Sequence, residues 1–228
     1  MIIAIDGPAG AGKSSVAQRV AEELGFQLLD TGAIYRSVAL VSLEAGLSWE
    51  DGPALGDLAS QLDIRYQLRD GQNRVFLRLR GGTERDVSGS LRTPEISQGA
   101  SKVANHPEVR AALLELQRRI GRARPSVVEG RDIGTVVFPD ARCKVFLTAS
   151  PQERARRRHT QLVERGATEV PTIDAIAREI RERDTRDSER AVAPLRAAAD
   201  AVQVDSSDIT EDAVVARIVA LASPDKRD

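Results

Sequence analysis

Ile2-Ile3-Ala4-Ile5-Asp6-Gly7-Pro8-Ala9-Gly10-Ala11-Gly12-Lys13-Ser14-Ser15 runs from a short apolar segment into a glycine-rich loop. Residues Gly7 to Ser14 match G-x-x-x-x-G-K-[ST]. Ile2–Ile5 in front of the loop reads as a buried strand. Behind it Val16, Val20 and Leu24 recur at four-residue spacing, a helix that Gly25 ends. Strand, loop and helix together give the pattern its mechanism. Glycines let backbone N–H groups curl around phosphate oxygens, and the helix N-terminus adds the positive end of its dipole. Gly7, Pro8, Ala9, Gly10, Ala11, Gly12, Lys13, Ser14 and Ser15 are therefore expected to hold the phosphates of ATP. Lys13 would reach the β- and γ-phosphates, and Ser14 would ligate Mg2+. The alternative, a glycine-rich turn with no ligand, does not require both flanking elements.

Further apolar runs of strand type are Gln27–Leu29, Ser126–Val128 and Lys144–Leu147, with a weaker one at Ala201–Val204. Helical patterns separate them. Val109, Leu113, Leu116 and Ile120 form a stripe started by Pro107 and stopped by Gly121. Ser150-Pro151-Gln152-Glu153 carries an N-cap, a proline at the first helical position and a capping-box acid. Asp208–Glu211 opens a last helix with Val214, Val215, Ile218 and Leu221 on it. Strands alternating with helices predict an α/β fold, a parallel sheet of about five strands covered by helices on both faces. One stretch breaks the alternation. Ile64–Leu68 and Arg74–Arg80 read as a hairpin turning at Asp70-Gly71, with Val75, Leu77 and Leu79 on its buried face. It lies in an insertion over Trp49–Arg92, either a decorated sheet edge or a small substrate-covering subdomain, with Trp49 as its anchor. The polar tail Ser223–Asp228 is expected to fray.

Composition narrows the classes. Lys plus Arg is 33 and Asp plus Glu is 34, a net charge of -1, so bulk charge gives no support to a duplex-binding surface. A single cysteine, Cys143, excludes an internal disulfide and is expected to pack. The only histidines, His106 and His159, are too isolated for a His-rich metal site and read as surface or helix-end residues. With no leader-like segment and no run of 18 apolar residues, the expectation is a cytoplasmic protein without a membrane partner. Asp86-Val87-Ser88-Gly89 fits a switch-like Asp-x-x-Gly, but it lies beside the insertion. Guanine-reading Asn-Lys-x-Asp is absent, because neither Asn73 nor Asn105 precedes a lysine.

Phosphoryl transfer to a nucleoside monophosphate joins two polyanions. The acceptor phosphate is already ionised, so the reaction needs positioning and cations from several segments, with no general base. Three segments have that character. Along Thr172–Val192, Ile173, Ile176 and Ile180 mark a helical face that continues into Arg183, Asp187 and Arg190. The bland alternative is a salt-bridged helix end, with Arg183 and Asp187 paired; Asp184, Arg186 and Glu189 can instead serve the surface. Glu129-Gly130-Arg131-Asp132 follows a strand, where ligands sit in open parallel sheets, although an ordinary strand-to-loop turn would look the same. Arg154, Arg156, Arg157 and Arg158 suit a lid closing over ATP phosphates, or a solvated helix face.

Along almost its whole length the sequence resembles the bacterial cytidylate kinase family. The segments that carry the resemblance are Ile5–Ser15, Leu29-Asp30-Thr31-Gly32-Ala33-Ile34-Tyr35-Arg36, Glu129–Asp140 and Arg183–Leu195 with its Arg190-Ala191-Val192-Ala193-Pro194-Leu195. The resemblance implies a single kinase domain over residues 1–228. Residues 1–48 and 93–228 would form the core, 49–92 a substrate-binding insertion and 151–171 a lid. It implies transfer of the γ-phosphoryl group of ATP to CMP or dCMP by a monomer that binds no nucleic acid. Carried over by motif, Arg36 and Arg131 would grip the acceptor phosphate. Ser101, Arg110 and Asp132 would read cytosine, Arg183 and Asp187 would hold the sugar, and Arg190 would line the same pocket. Lys13, Arg131, Arg183 and Arg158 would be the catalytic cations, with Arg157 on ATP. Thr31 is placed among the substrate contacts with its part open; the part of Glu129 is open too, and it is a candidate to support Mg2+ from outside the ligand sphere. Rival readings are a kinase for another acceptor such as shikimate or UMP, a nucleotide-dependent switch, and a nucleic-acid binder using the arginine cluster.

Overall fold

The computed structural model describes residues 1–69, 71–164, 166–167 and 169–223. Asp70 of the expected turn, Arg165 and Thr168 of the expected lid, and residues 224–228 of the expected fraying tail lie outside the described residues. In chain order the elements are β1 (Ile2–Asp6), α1 (Lys13–Leu24), β2 (Gln27–Asp30), α2 (Thr31–Glu44), α3 (Gly52–Ser60), β3 (Leu62–Arg69), β4 (Gln72–Leu79), β5 (Arg85–Asp86), α4 (Pro94–Val103) and α5 (Pro107–Arg122). Then follow β6 (Ser126–Gly130), a π-helical turn at Ile133–Val137, β7 (Cys143–Thr148), α6 (Pro151–Glu164), α7 (Ile173–Glu189), β8 (Val202–Asp205) and α8 (Glu211–Ala222).

The main sheet has five strands in the order β2-β6-β1-β7-β8. β1 is parallel to β6 and β7, and β7 is parallel to β8. Central strands of such a sheet are covered on both faces and so read as continuous apolar runs. Accordingly Ile3, Ala4, Ile5, Val127, Val128 and Leu147 are buried. The register Asp6↔Gly130 brings the carboxyl ends of β1 and β6 level, so the glycine loop and the Arg131-Asp132 turn leave the sheet side by side.

The chain divides into two compact units, Met1–Gln27 with Pro125–Asp228 and Leu28–Arg124. The second is longer than the 49–92 insertion. It contains an antiparallel sheet in the order β3-β4-β5, with Ile64, Val75 and Leu77 on the buried face. Arg65 and Arg69 lie over the Phe76 ring on the other. The strand β5 was not legible as one. Beside it, the Ser88 N–H and hydroxyl both donate to Asp86 Oδ1, at 2.9 and 2.6 Å. The switch-like tetrapeptide is thus a turn that closes this small sheet. Trp49 donates its indole N–H to Ala39 O and Ser42 Oγ, and its ring occupies the space that a side chain at Gly99 would need.

Several local expectations are corrected. Gly121 does not stop its helix, because α5 runs on to Arg122 with Gly121 buried inside it. In α7 the inward stripe is narrower than the spacing suggests: Ile173 is exposed, and Arg190, at φ -61 and ψ 139, has already left the helix. Ser150 does cap α6, accepting from the Glu153 N–H at 3.2 Å. The reciprocal half of the box is missing, because Glu153 binds Arg156 and Arg157 while the Ser150 N–H donates to Ser207 Oγ. Thr210 caps α8 within the expected opening. Cys143 is buried, and among the described residues no helix is long and apolar enough to cross a membrane.

Candidate active site

The glycine loop joins β1 to α1 in a conformation few other residues allow. Gly7, Gly10 and Gly12 have φ of 150, 77 and 85. A Cβ on Gly7 would stand 1.9 Å from the Leu147 carbonyl oxygen of β7, so this loop packs on the sheet only with glycine there. Lys13, the first residue of α1, is buried and donates to Pro8 O at 2.7 Å. Burial drives its ammonium well below the ordinary lysine range, and Arg131 and Arg183 add to the shift against the opposing charge of Glu129. Ser14 Oγ donates to the buried Glu129 carboxylate at 2.9 Å, and Ser15 Oγ donates to Gly12 O at 3.0 Å. Glu129 is the penultimate residue of β6, in register with Ile5, so the sheet sets the Ser14–Glu129 pair.

The expected arginine lid is a regular helix, and its cations have different surroundings. Arg154 is buried: Nε donates to Ala149 O at 2.9 Å, Nη1 donates to Ala9 O at 3.0 Å, and Nη1 pairs with Asp184 at 2.7 Å. It braces the glycine loop, and Asp184 does not serve the solvent surface. Arg157 binds Glu153, Ser206 Oγ and Ser206 O, and its guanidinium lies 3.6 Å from where a Gly12 Cβ would be. Arg158 donates to Gln161 at 2.6 Å. Arg156 is exposed and holds Glu153, whose carboxyl is pulled down to about 2 chiefly by that hydrogen bond.

Beyond β6 lies a second charged group in the same unit. Arg131 Nε donates to Asp187 Oδ2 at 3.0 Å, and Arg183 on the same helix also acts on that carboxylate, so Asp187 answers to a cation from the β6 turn as well as to one on α7. Burial pushes Asp187 upward, but Arg131, Arg183 and Arg190 outweigh it and hold the carboxyl below its usual value. Arg190 stands 3.7 Å from Asp132, both side chains almost fully buried. The turn itself hangs on Asp6, which sequence reasoning passed over. Asp6 Oδ1 accepts from the Ile133 N–H and Oδ2 from the Gly134 N–H, each at 2.8 Å. Burial raises the Asp6 carboxyl to about 6 against those two hydrogen bonds. An aspartate at the end of an apolar strand was the only signal.

Thr31, Arg36, Ser101 and Arg110 belong to the second unit. Arg36 pairs with Asp30, which also caps α2 by accepting from the Ala33 N–H. Thr31, the first residue of α2, is buried. Arg110 is buried on α5, its guanidinium 5.5 Å from the centre of the Tyr35 ring and donating to Ala104 O at 3.4 Å. Ser101 Oγ is buried on α4 and meets no hydrogen-bond partner among the described residues.

The donor sets fit the groups that the loop implies. Magnesium prefers hard oxygen ligands and takes few from protein when phosphates supply the rest. Ser14 beside Glu129 matches that, and among the described residues no group of three or more acids, histidines or cysteines offers a protein-only site. A glycine loop ahead of a helix, buried Lys13, and Arg131 and Arg183 within its field offer positive charge to a polyphosphate.

A parallel sheet that carries such a loop from its central strand, with this chemistry at its carboxyl edge, defines the P-loop phosphotransferases. The family model for cytidylate kinase matches residues 3–224. A cytidylate kinase of Exiguobacterium sibiricum is 47% identical over 96% of this chain and 96% of its own. One of Methylococcus capsulatus is 49% identical over 94% and 93%. The chain belongs to the cytidylate kinase family, nucleoside monophosphate kinases of the transferase class. Among solved structures, a gluconokinase from Sinorhizobium meliloti is similar at a TM-score of 0.45 and 19% identity, over 96% of this chain and 90% of that one. That likeness is too distant to add to the sheet order and the loop.

Proposed function

We propose that the protein transfers the γ-phosphoryl group of ATP to CMP and dCMP, giving CDP and dCDP. The observation that carries the reading is the charge around Lys13: its ammonium is driven down chiefly by burial, and the half-buried Arg131 and Arg183 add like charge against Glu129 and Asp6. A polyanion bound there would offset that cost. The Gly7–Ser15 loop holds the ATP phosphates and Ser14 ligates magnesium, with Glu129 accepting from Ser14 and orienting it. The metal, when bound, neutralises charge on the transferred group. Arg36 and Arg131 hold the acceptor phosphate, and Arg183 stabilises the charge that develops during in-line transfer. Asp187 and Arg190 take the sugar side, and Arg157 and Arg158 close over ATP as part of the 151–171 lid. Residues 49–92 form the insertion that serves the acceptor, with Thr31 among its contacts. The protein acts as a cytoplasmic monomer on small-molecule substrates.

Base choice follows from hydrogen-bond chemistry. Cytosine presents an N4 donor, which the Asp132 carboxylate accepts, and O2 and N3 acceptors, toward which Ser101 and Arg110 donate. The Ser101 hydroxyl, buried and without a hydrogen-bond partner among the described residues, supports its assignment to a ligand. Uracil reverses the pattern at N3 and position 4. ADP release with ATP and each of CMP, dCMP, UMP, AMP and GMP tests the reading. It predicts fast release with CMP and dCMP. Fast release with another monophosphate alone, or slow release indifferent to all five, would overturn it.

A further inference from the structure

We propose that Asp6 is a positioning residue for the acceptor site: its buried carboxylate fixes the turn that aims Arg131 and Asp132 at CMP. The inference rests on the reading above, in which those two residues meet the acceptor.

Asp6 holds both ends of the turn. On the near side its backbone is in parallel register with Gly130, the last residue of β6. On the far side its two carboxylate oxygens accept from the Ile133 and Gly134 N–H groups. Only Arg131 and Asp132 lie between. The far-side donors need this partner. Inside the π-helical turn, the Val136 and Val137 N–H groups bond to Asp132 O and the Phe138 N–H to Ile133 O. The first N–H groups of a helical turn have no such internal acceptor. Ile133 and Gly134 are buried, so water is no substitute. A neutral acceptor could satisfy one donor; a carboxylate satisfies both with charge-assisted bonds.

The surrounding shape makes the anchor stiff. A Cβ on Gly134 would lie 3.4 Å from Asp6 Oδ2 and 3.2 Å from Lys144 Cδ, so the turn is clamped between the Asp6 carboxylate and the Lys144 stem. Lys144 is itself fixed by Pro139 O at 2.6 Å and Asp200 at 2.7 Å. Two charges act on Asp6: Asp132, which opposes its ionisation, and Lys13, which favours it. Asp6 also directly precedes Gly7. One residue therefore belongs to the donor loop through its backbone and governs the acceptor turn through its side chain.

Asp6→Asn tests this. The amide oxygen accepts one N–H, and the amide nitrogen then faces the other as donor against donor, so the turn keeps one anchor of two. At pH 7.5 the KM for CMP should rise about tenfold or more while the KM for ATP moves less than about threefold. Equal changes in both constants, or none, would overturn the proposal. Gly134→Ala presses on the same contact from the other side and should give the same split. If Asp6→Asn does not fold, wild-type protein answers alone: the Ile133 and Gly134 amide resonances should titrate together with a midpoint near 6. Resonances that stay flat from pH 3 to 8 would contradict the carboxylate contact. This NMR readout needs no substrate. An enzyme inactive on CMP would overturn the functional reading while leaving the anchor itself decided separately.

Discussion

At the scale of single residues, charge is concentrated where the polypeptide cannot dilute it with water. Lys13 is the clearest case, an ammonium buried within the field of two guanidinium groups and answered by the Glu129 and Asp6 carboxylates. Lys13→Ala should lower kcat by about a hundredfold or more, as the loss of one preorganised electrostatic contact in a dry site does. The fold should remain, because the buried ammonium is a cost in the empty protein. Wild-type turnover by the folded variant would remove Lys13 from the mechanism. Asp6 carries an opposite, pH-dependent cost. Its carboxyl is raised from 3.8 to about 6 in the folded chain, so the folded state binds that proton more tightly than the unfolded one. The contribution to stability is then complete below about 4 and is lost as the pH rises through about 6. A two-unit shift corresponds to about 3 kcal/mol. Urea denaturation of wild type and Asp6→Asn should show the wild type losing stability relative to the variant between pH 4 and 7. Parallel curves would mean that Asp6 titrates normally.

At the scale of elements, the helix α6 joins two kinds of arginine. Arg154 reaches Ala9 O in the loop, Ala149 O beyond β7 and Asp184 on α7. Arg156, two residues on, is largely exposed and among the described residues pairs only with Glu153. Arg154→Ala leaves Asp184 without its cation and should cost about 3 kcal/mol or more, with weaker ATP binding. Arg156→Ala should cost under about 1 kcal/mol. Thermal denaturation with and without ATP separates them, and equal losses would contradict the brace.

The same contrast explains what the sequence could tell. The strand before the glycine loop, the helix after it, the other parallel strands and the N-cap at Ser150 are local patterns, and they stand where periodicity and capping put them. Arg154 looked like one member of a basic run, because its partners at Ala9 and Asp184 are far away in the chain. Asp6 reads as a polar residue closing a strand until Ile133 and Gly134 are folded onto it. Glu153 read as the acid of a capping box, and two arginines compete for it successfully because each offers a charged donor where the Ser150 N–H offers a neutral one. The site itself was legible mainly through motif resemblance. Spacing alone could mark Arg183 and Asp187 on one face, but not that Arg131 would donate to Asp187.

At the scale of the whole molecule, the proposed site draws on both compact units: the glycine loop, Arg131, Asp132, Arg183 and Asp187 belong to the first, and Arg36, Ser101 and Arg110 to the second. The central claim is that this molecule moves phosphoryl groups and chooses cytosine. With γ-labelled ATP, the label should pass to CMP and appear in CDP, at a kcat/KM about tenfold to several-hundred-fold above that for UMP. Asp132→Ser should shrink that ratio. Label released as free phosphate at a rate indifferent to CMP, or equal transfer to CMP and UMP by the wild-type protein, would contradict the account.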